Sequence, residues 1–438
     1  MLDEAIARAR RQLAAEQKPD GHFVYELEAD ATIPAEYVLL EHFLDRIDEP
    51  LEAKIGVYLR EIQGEHGGWP LFHGGRMDLS ASVKAYFALK AIGDDPEAPH
   101  MMRARRAILA AGGAERSNVF TRIQMALYGQ VPWHACPVMP PEIMLLPRWF
   151  PFTLWKVSYW SRVVIAPLVV LMAKRPLARN PRGVRIDELF VTPPDQVRDY
   201  IRGPYKSAWG HVFKAIDVVL QRQQKRFPAA ARERAIQAAV DFVRPRLNGE
   251  HGLGAIYPAL ANVVMMFDTL GYSPDHPEYA AAWKAVRDLM VVHGDRAYCQ
   301  PCFSPVWDTA LSGLALGETD GFDDASVAAA CEWLKPRQVL DVKGDWAERR
   351  PHARPGGWAF QYENAYYPDV DDTAVAGMLL DRSGDPAHRE SVDRACEWIL
   401  AMQSSNGGWG AFDSDNEFYY LNHIPFADHG ALLDPPTA

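Results

Sequence analysis

Three carboxylates fall inside four residues in the run Tyr366-Tyr367-Pro368-Asp369-Val370-Asp371-Asp372-Thr373-Ala374-Val375. The run opens an apolar stretch towards Leu380. Pro368 followed by Asp369 reads as a helix entry, with Asp369 as N-cap and Asp371 and Asp372 in the first turn. Three chemistries fit such a cluster. One is acidic capping on a solvated face, because helix N-termini favour negative charge. The second is a site for a divalent cation, although no phosphate-binding glycine loop or EF-hand pattern accompanies it. The third is a Brønsted acid. Crowded carboxylates cannot all ionise cheaply, so one keeps its proton, and burial among aromatics strengthens the effect. The helix N-terminus then stabilises the conjugate base. A neutral resting acid of this kind is what protonating a weakly basic alkene needs.

The neighbouring residues favour the third chemistry. Trp358-Ala359-Phe360-Gln361-Tyr362 precedes the cluster, and Trp307-Asp308-Thr309 and Gly408-Trp409-Gly410-Ala411-Phe412 flank it. Aromatic faces stabilise cations without attacking them, by about 0.5–2 kcal/mol each. Any one of these rings is ordinary core material; the argument rests on their combination with the acids. Asp413-Ser414-Asp415-Asn416-Glu417 imitates a calcium loop only superficially, because glycine is missing where the turn needs it. Cys299-Gln-Pro-Cys302 has no second pair to complete a zinc site. With five scattered cysteines, a secreted disulfide framework is not expected.

The elements that must position these groups are helical. Apolar residues recur at three- and four-residue spacing over Ala35 to Leu44, Val83 to Ile92, Arg232 to Val243 and Ser326 to Leu334, and period-two strand patterns are scarce. An all-α architecture of paired helices is expected. A weak repeat overlies it: an inward apolar residue, then Gln, then a Gly-x-Trp turn. The copies read Gln63 with Gly67-Gly68-Trp69, Gln338 with Gly344-Asp345-Trp346, Gln403 with Gly407-Gly408-Trp409, and a degraded Gln17 with Gly21-His22-Phe23. Gln can bond an open helix end and the next turn, Gly permits the tight turn, and Trp packs over it. Such units suit a barrel of concentric helix pairs.

The composition matches this picture. Over 438 residues, 48% are hydrophobic, enough for a large core. The net charge of −11 argues against a nucleic-acid partner. The N-terminus has no apolar signal core and reads as an amphipathic helix. The longest apolar run, Val163 to Ala173 interrupted by Pro167, is too short to span a bilayer. Lys174, Arg175, Arg179, Arg182 and Arg185 follow it. The segment reads either as a solvated loop beside a buried helix or as a monotopic membrane contact.

The sequence resembles the squalene–hopene cyclases, class II triterpene cyclases, over essentially its whole length. The resemblance rests on the Asp-x-Asp-Asp-Thr-Ala box at Asp369 to Ala374 and on the Gln/Trp repeats. Ala31-Thr32-Ile33-Pro34-Ala35-Glu36-Tyr37, Val131-Pro132-Trp133 and Ser304-Pro305-Val306-Trp307-Asp308-Thr309 also carry it. It implies two α/α-barrel domains around an apolar cavity, here taken as 31–290 with the membrane-contact segment and 291–438 with the acid. Residues 1–30 would pack on the acid-bearing domain. It implies Asp371 as the acid, supported by Asp369 and Asp372, with Trp160, Trp307, Phe360 and Phe412 as cavity aromatics. The implied reaction cyclises squalene, drawn from the bilayer, to hopene or hopanol without cofactor or metal. The protein would be monotopic on the cytoplasmic side of the membrane, and a homodimer is admitted. The Asp372 position points to unoxidised squalene.

Against the family pattern the chain stops at Asp434-Pro435-Pro436-Thr437-Ala438, where the pattern continues for roughly a further third of its length. The second barrel is therefore expected to be incomplete. An exposed apolar patch and little cyclase activity from these 438 residues alone are expected with it. The competing readings are an inactive lipid-binding fragment, a class II cyclase acting on another polyprenyl substrate such as a diterpene diphosphate, and a protein prenyltransferase subunit, which would need zinc.

Overall fold

The computed structural model describes residues 1–201, 207–427 and 432–437, and it is built almost wholly of helices. In chain order the α-helices are α1 Leu2–Ala15, α2 Thr32–Leu44, α3 Glu49–Glu61, α4 Leu79–Ile92, α5 Pro99–Ala110, α6 Val119–Leu127, α7 Tyr159–Lys174, α8 Ala208–Gln223, α9 Ala229–Val243, α10 Tyr257–Thr269, α11 Pro277–Asp288, α12 Pro305–Asp320, α13 Ala325–Leu334, α14 Val370–Arg382 and α15 Arg389–Met402. Two antiparallel two-stranded pairs complete it, β1 Trp69–Pro70 with β2 Met77–Asp78 and β3 Met290–His293 with β4 Arg296–Cys299.

The helices sort by amphipathicity into two layers. α2, α4, α7 and α10 are buried nearly all round, as helices enclosed on every side must be. α3, α5, α9 and α11 bury one stripe and lie outside them. In the second half α12 and α14 pack on each other, with α13 and α15 outside and α1 against α12. The arm after α1 is tied to this half: Phe23 N–H donates to Thr309 Oγ1 and Tyr25 N–H to Asp308 Oδ2, both at 2.9 Å. Tyr367, Phe412, Leu421 and Phe426 are threaded the other way, into the core of residues 31–299. The two halves meet through these late residues.

The Gln clamps have a consistent geometry. Gln63 Nε2 donates to Gly67 O and to His100 O, at the start of α5. Gln17 does the same to Gly21 O and Ser326 O, at the start of α13. Each ties a turn to the opening of another helix. Gln338 donates to Gly356 O (2.8 Å) and Ser391 O (2.9 Å), which corrects the expected repeat. Its turn is Gly356-Gly357-Trp358, not Gly344-Asp345-Trp346. The indole of Trp358 donates to Leu334 O, four residues before Gln338, as Trp69 does to Leu59 O and Trp409 to Ile399 O. An insertion separates Gln338 from its tryptophan, and nearest spacing picked the wrong ring. Glycine is needed because the turn touches the next helix: a Cβ on Gly67, at φ +91°, would lie 2.9 Å from Arg103 O.

Of the two readings of Val163–Ala173, the structure bears out the buried helix. This run is the middle of α7 and is buried through Met172. Of the cations after it, Lys174 pairs with Glu233, Arg179 with Asp268, Arg182 with Glu49 and Glu52, and Arg185 with Asp187, while Arg175 donates to Gln224 and lies over Trp133. A continuous apolar run marks a helix enclosed by others; the exposed apolar face lies on α8. There Trp209, Val212, Val218 and Val219 point outward beside Leu145 and Trp149. No helix among the described residues is long and apolar enough to cross a membrane.

Candidate active site

The acid cluster is built by the first turn of α14. Asp369 is its N-cap, accepting from Asp372 N–H at 2.7 Å. Thr373 Oγ1 donates to Asp369 O and accepts from Trp358 N–H, and Asp369 N–H donates to Trp358 O. Position and partners together bury Asp369 and Asp372 to 4% and 2% exposure. Burial pushes both carboxyls above the ordinary carboxylate range, with repulsion from Asp369 adding to it at Asp372 and repulsion from Asp371 at Asp369. Two buried acids three residues apart, each with one oxygen lacking a partner among the described residues, hold at least one proton between them.

The expectation that Asp371 is the buried member does not hold. Asp371 is exposed. Asp369 and Asp372 turn towards each other across one helical turn, which rotates Asp371 about 100° away, onto the side shared with Ala374, Val375 and Met378. Met378 on α14 and Leu311 on the adjoining α12 are also exposed, at 49% and 40%. The acid box therefore has a buried proton-holding pair and one carboxylate on an open, partly apolar face.

The expected aromatics divide in the same way. Val370 N–H donates to Ala411 O at 2.9 Å, which brings Phe412 beside the helix start. Phe412 meets Trp160 edge-on at 4.9 Å. Trp307 and Phe360 are half-buried and reach the box through their neighbours. Asp308 adds to the repulsion on Asp372, and Trp358 pairs with Asp369. Sequence reasoning missed one member of the wall, Tyr159, while Tyr367 was already named by its place beside the box. Tyr159 stacks on Tyr367 with ring centres 3.7 Å apart and touches both Trp160 and Phe412. Nothing marked Tyr159 apart from its place next to Trp160.

Trp160 leads from this wall into a cavity of about 460 Å³. Leu40, Ile123, Val164 and Leu168 are among its apolar walls, and its other end is polar. Lys84 Nζ and Glu36 Oε1 pair there at 2.5 Å, with Asn118, Tyr257 and Asn262 around them. Glu36 stands inside a motif noted in the sequence, but its role at a cavity end could not be read there. A second, strongly apolar cavity of about 480 Å³ lies between residues 137–157 and α8. Ile165 and Phe426 line both cavities. Cys299 is buried and Cys302 half-buried, and burial pushes the Cys302 thiol up to about 12, so neither is a ready thiolate.

Two family models cover nearly the whole chain, the squalene-hopene cyclase N-terminal domain over residues 6–295 and the C-terminal domain over 303–438. The squalene–hopene cyclase of Zymomonas mobilis is 58% identical over 449 residues, spanning 100% of this chain and 68% of that protein. The one from Schizosaccharomyces japonicus is 56% identical over 446 residues, again covering all of this chain and 68% of the relative. That of Alicyclobacillus acidocaldarius is 39% identical over 440 residues, 99% of this chain and 68% of the relative. With both domain models matched in order and identity this high from end to end, the chain belongs to the squalene-hopene cyclase family.

Proposed function

We propose that the chain cyclises squalene to a pentacyclic hopene or hopanol by protonating a terminal alkene and guiding the resulting cation along an aromatic wall. The observation that carries this reading is the buried, proton-holding Asp369–Asp372 pair joined through Ala411 and Phe412 to Trp160 and the inner cavity. Asp371 delivers the proton and the buried pair resupplies it. The positive end of α14 stabilises the carboxylate that remains. Delivery to a hydrocarbon needs a dry acid, because water is a far better base than an alkene. The face bearing Asp371, Leu311 and Met378 must therefore be covered during turnover.

The cavities give the two ends of the path opposite tasks. Trp160, Tyr159, Tyr367 and Phe412 offer faces that stabilise a cation without bonding to it. The Glu36–Lys84 end offers polar groups that take up a proton or hold a water, ending the cascade as alkene or alcohol. The outer apolar cavity supplies substrate past Ile165 and Phe426. Its surroundings, Leu145, Trp149, Trp209, Val212 and Val219, form an exposed apolar face suited to lying in a bilayer surface. Membrane contact then falls to α8 and not to the segment after Val163, where it was one of two readings. Placement at the cytoplasmic surface rests on the family resemblance.

The test is a product assay with squalene in detergent. It compares these 438 residues with the same chain joined to the part of the Zymomonas relative that it does not match. Pentacyclic C30 products are expected from the joined chain, with far less from the 438 residues alone. Asp371→Asn in the joined chain should lower the rate by about 10³-fold or more with the melting temperature unchanged. Equal rates for parent and D371N would remove the proposal.

A further inference from the structure

Directly behind the aromatic wall lies a group of buried charges that the mechanism above does not use. Arg162 on α7 donates from Nη2 to Asp413 Oδ1 at 2.9 Å, and its Nε faces Asp345 Oδ2 at 3.5 Å. Arg246 donates from Nη2 to Asp345 Oδ1 at 2.5 Å and lies over the rings of Phe242 and Tyr366. All four side chains are 9% exposed or less. Arg162 and Arg246 also donate to Val157 O and Phe242 O, and Asp413 accepts from the Asn416 amide, while the Nε of each arginine has no hydrogen-bond partner among the described residues. Both arginines lie within residues 6–295 and both aspartates within 303–438, so the group joins these two parts of the chain.

Each anion also fixes a ring. The Tyr367 hydroxyl donates to Asp345 Oδ2, and Tyr367 stacks on Tyr159. Asp413 follows Phe412 directly, so Arg162 holds the loop that presents Phe412 to Trp160. Packing alone does not require four ions here. Buried ion pairs are costly, and apolar replacements often serve stability as well or better. The ions do have one property that an apolar filling shares and a broken pair lacks: the two cations and two anions of the group sum to no charge, and burial pushes up the pKa of Asp434, which borders them through the Phe412 and Asp413 amides. In an interior that screens weakly, one unmatched charge acts across several ångströms. A surplus cation would repel a carbocation at the wall. A surplus anion would attract it and offer an oxygen for it to bond.

We propose that Arg162, Arg246, Asp345 and Asp413 are positioning residues that seat Tyr367 and Phe412 and keep the field behind the wall neutral for a passing cation. This rests on the cyclase reading for its purpose, while its test does not depend on turnover. The protein is titrated with dodecyldimethylamine, protonated at neutral pH, and with its hydrocarbon isostere, in which a C–H carbon replaces the N–H nitrogen. Tryptophan fluorescence reports both. Asp413→Asn should weaken the ammonium probe about tenfold and leave the hydrocarbon within about twofold. Arg162→Met combined with Asp413→Asn restores neutrality and should return the ratio of the two affinities to that of the parent. Tyr367→Phe disturbs the same packing without changing charge and should not move the ratio. Should Asp413→Asn fail to fold, Asp345→Asn paired with Arg246→Met repeats the comparison.

Equal loss of both probes in the single variant, or a double variant that does not recover the ratio, would reduce the group to a structural brace and overturn the inference. So would a parent that binds neither probe. An unchanged ratio with normal squalene conversion by the joined chain would leave the cyclase reading standing. A shifted ratio without any conversion would do the reverse.

Discussion

At the residue scale, the chemistry turns on carboxyl groups whose burial decides their charge. The Asp369–Asp372 pair holds its proton because burial raises both pKa values, with neighbouring carboxylates adding to the effect. A reaction needing that proton is fastest with the pair protonated and slows on the alkaline side. A rate profile measured with the joined chain should therefore fall as pH rises, and a profile rising towards alkaline pH would contradict the assignment. Glu41 on α2 gives a separate test away from the site. It is 2% exposed, and burial pushes it up to about 8 from an ordinary 4.5. Because the folded-state value lies above the unfolded one, its stabilising contribution is complete below about 4.5 and lost as pH rises through about 8. Glu41→Gln should raise the melting temperature by about 2 °C or more at pH 9 and change it little at pH 4. Thermal melts at both values check this.

At the scale of elements, the Gln clamps set the register of helices around the site. Gln338 satisfies two buried carbonyls, Gly356 O and Ser391 O, and fixes the turn that delivers Trp358 against Asp369. Gln338→Ala leaves Gly356 O without this partner, while Ser391 O keeps its bond within α15, at a cost of about 1–3 kcal/mol. Denaturant unfolding should show it. The same experiment separates the two tryptophans. Trp358→Phe loses the bond to Leu334 O and should cost about 1 kcal/mol beyond the area change. Trp346 Nε1 has no hydrogen-bond partner among the described residues, so Trp346→Phe should cost less. A larger loss at Trp346 would mean that the turn at 344–346, not that at 356–358, closes the clamp.

At the scale of the whole molecule, the two cavities share Ile165 and Phe426, and the apolar face of α8 borders the outer one. Phe213 and Phe152 pack edge-on beneath that face, and Trp209 stacks on Phe213 and touches Tyr420, so the patch is continuous with the outer cavity. Val212→Glu with Val219→Glu should lower partitioning onto phospholipid vesicles about tenfold or more, because each substitution exchanges buried methyl groups for a charge. Leu177 is 70% exposed and does not line the outer cavity, and Leu177→Glu serves as the control, with partitioning unchanged. Sedimentation with vesicles measures all three. Equal loss from the control would show that α8 is not the membrane-facing element.

The sequence by itself determined what is local. The entry of α14 at Pro368-Asp369, the helices around Ala35, Val83, Arg232 and Ser326, and the crowding of three carboxylates all follow from neighbours a few residues apart, where spacing and geometry are linked by the 3.6-residue turn. The tertiary structure alone decided what depends on distant partners. It chose which acids are buried, because that depends on the helices facing α14. It chose Trp358 over Trp346, because an insertion is invisible until the turn closes on α15. It enclosed α7 and exposed α8, since apolar content marks burial only once the neighbours are placed. It also set Arg162 and Arg246 against Asp345 and Asp413 across the chain's two parts, a pairing of charges that no local spacing encodes.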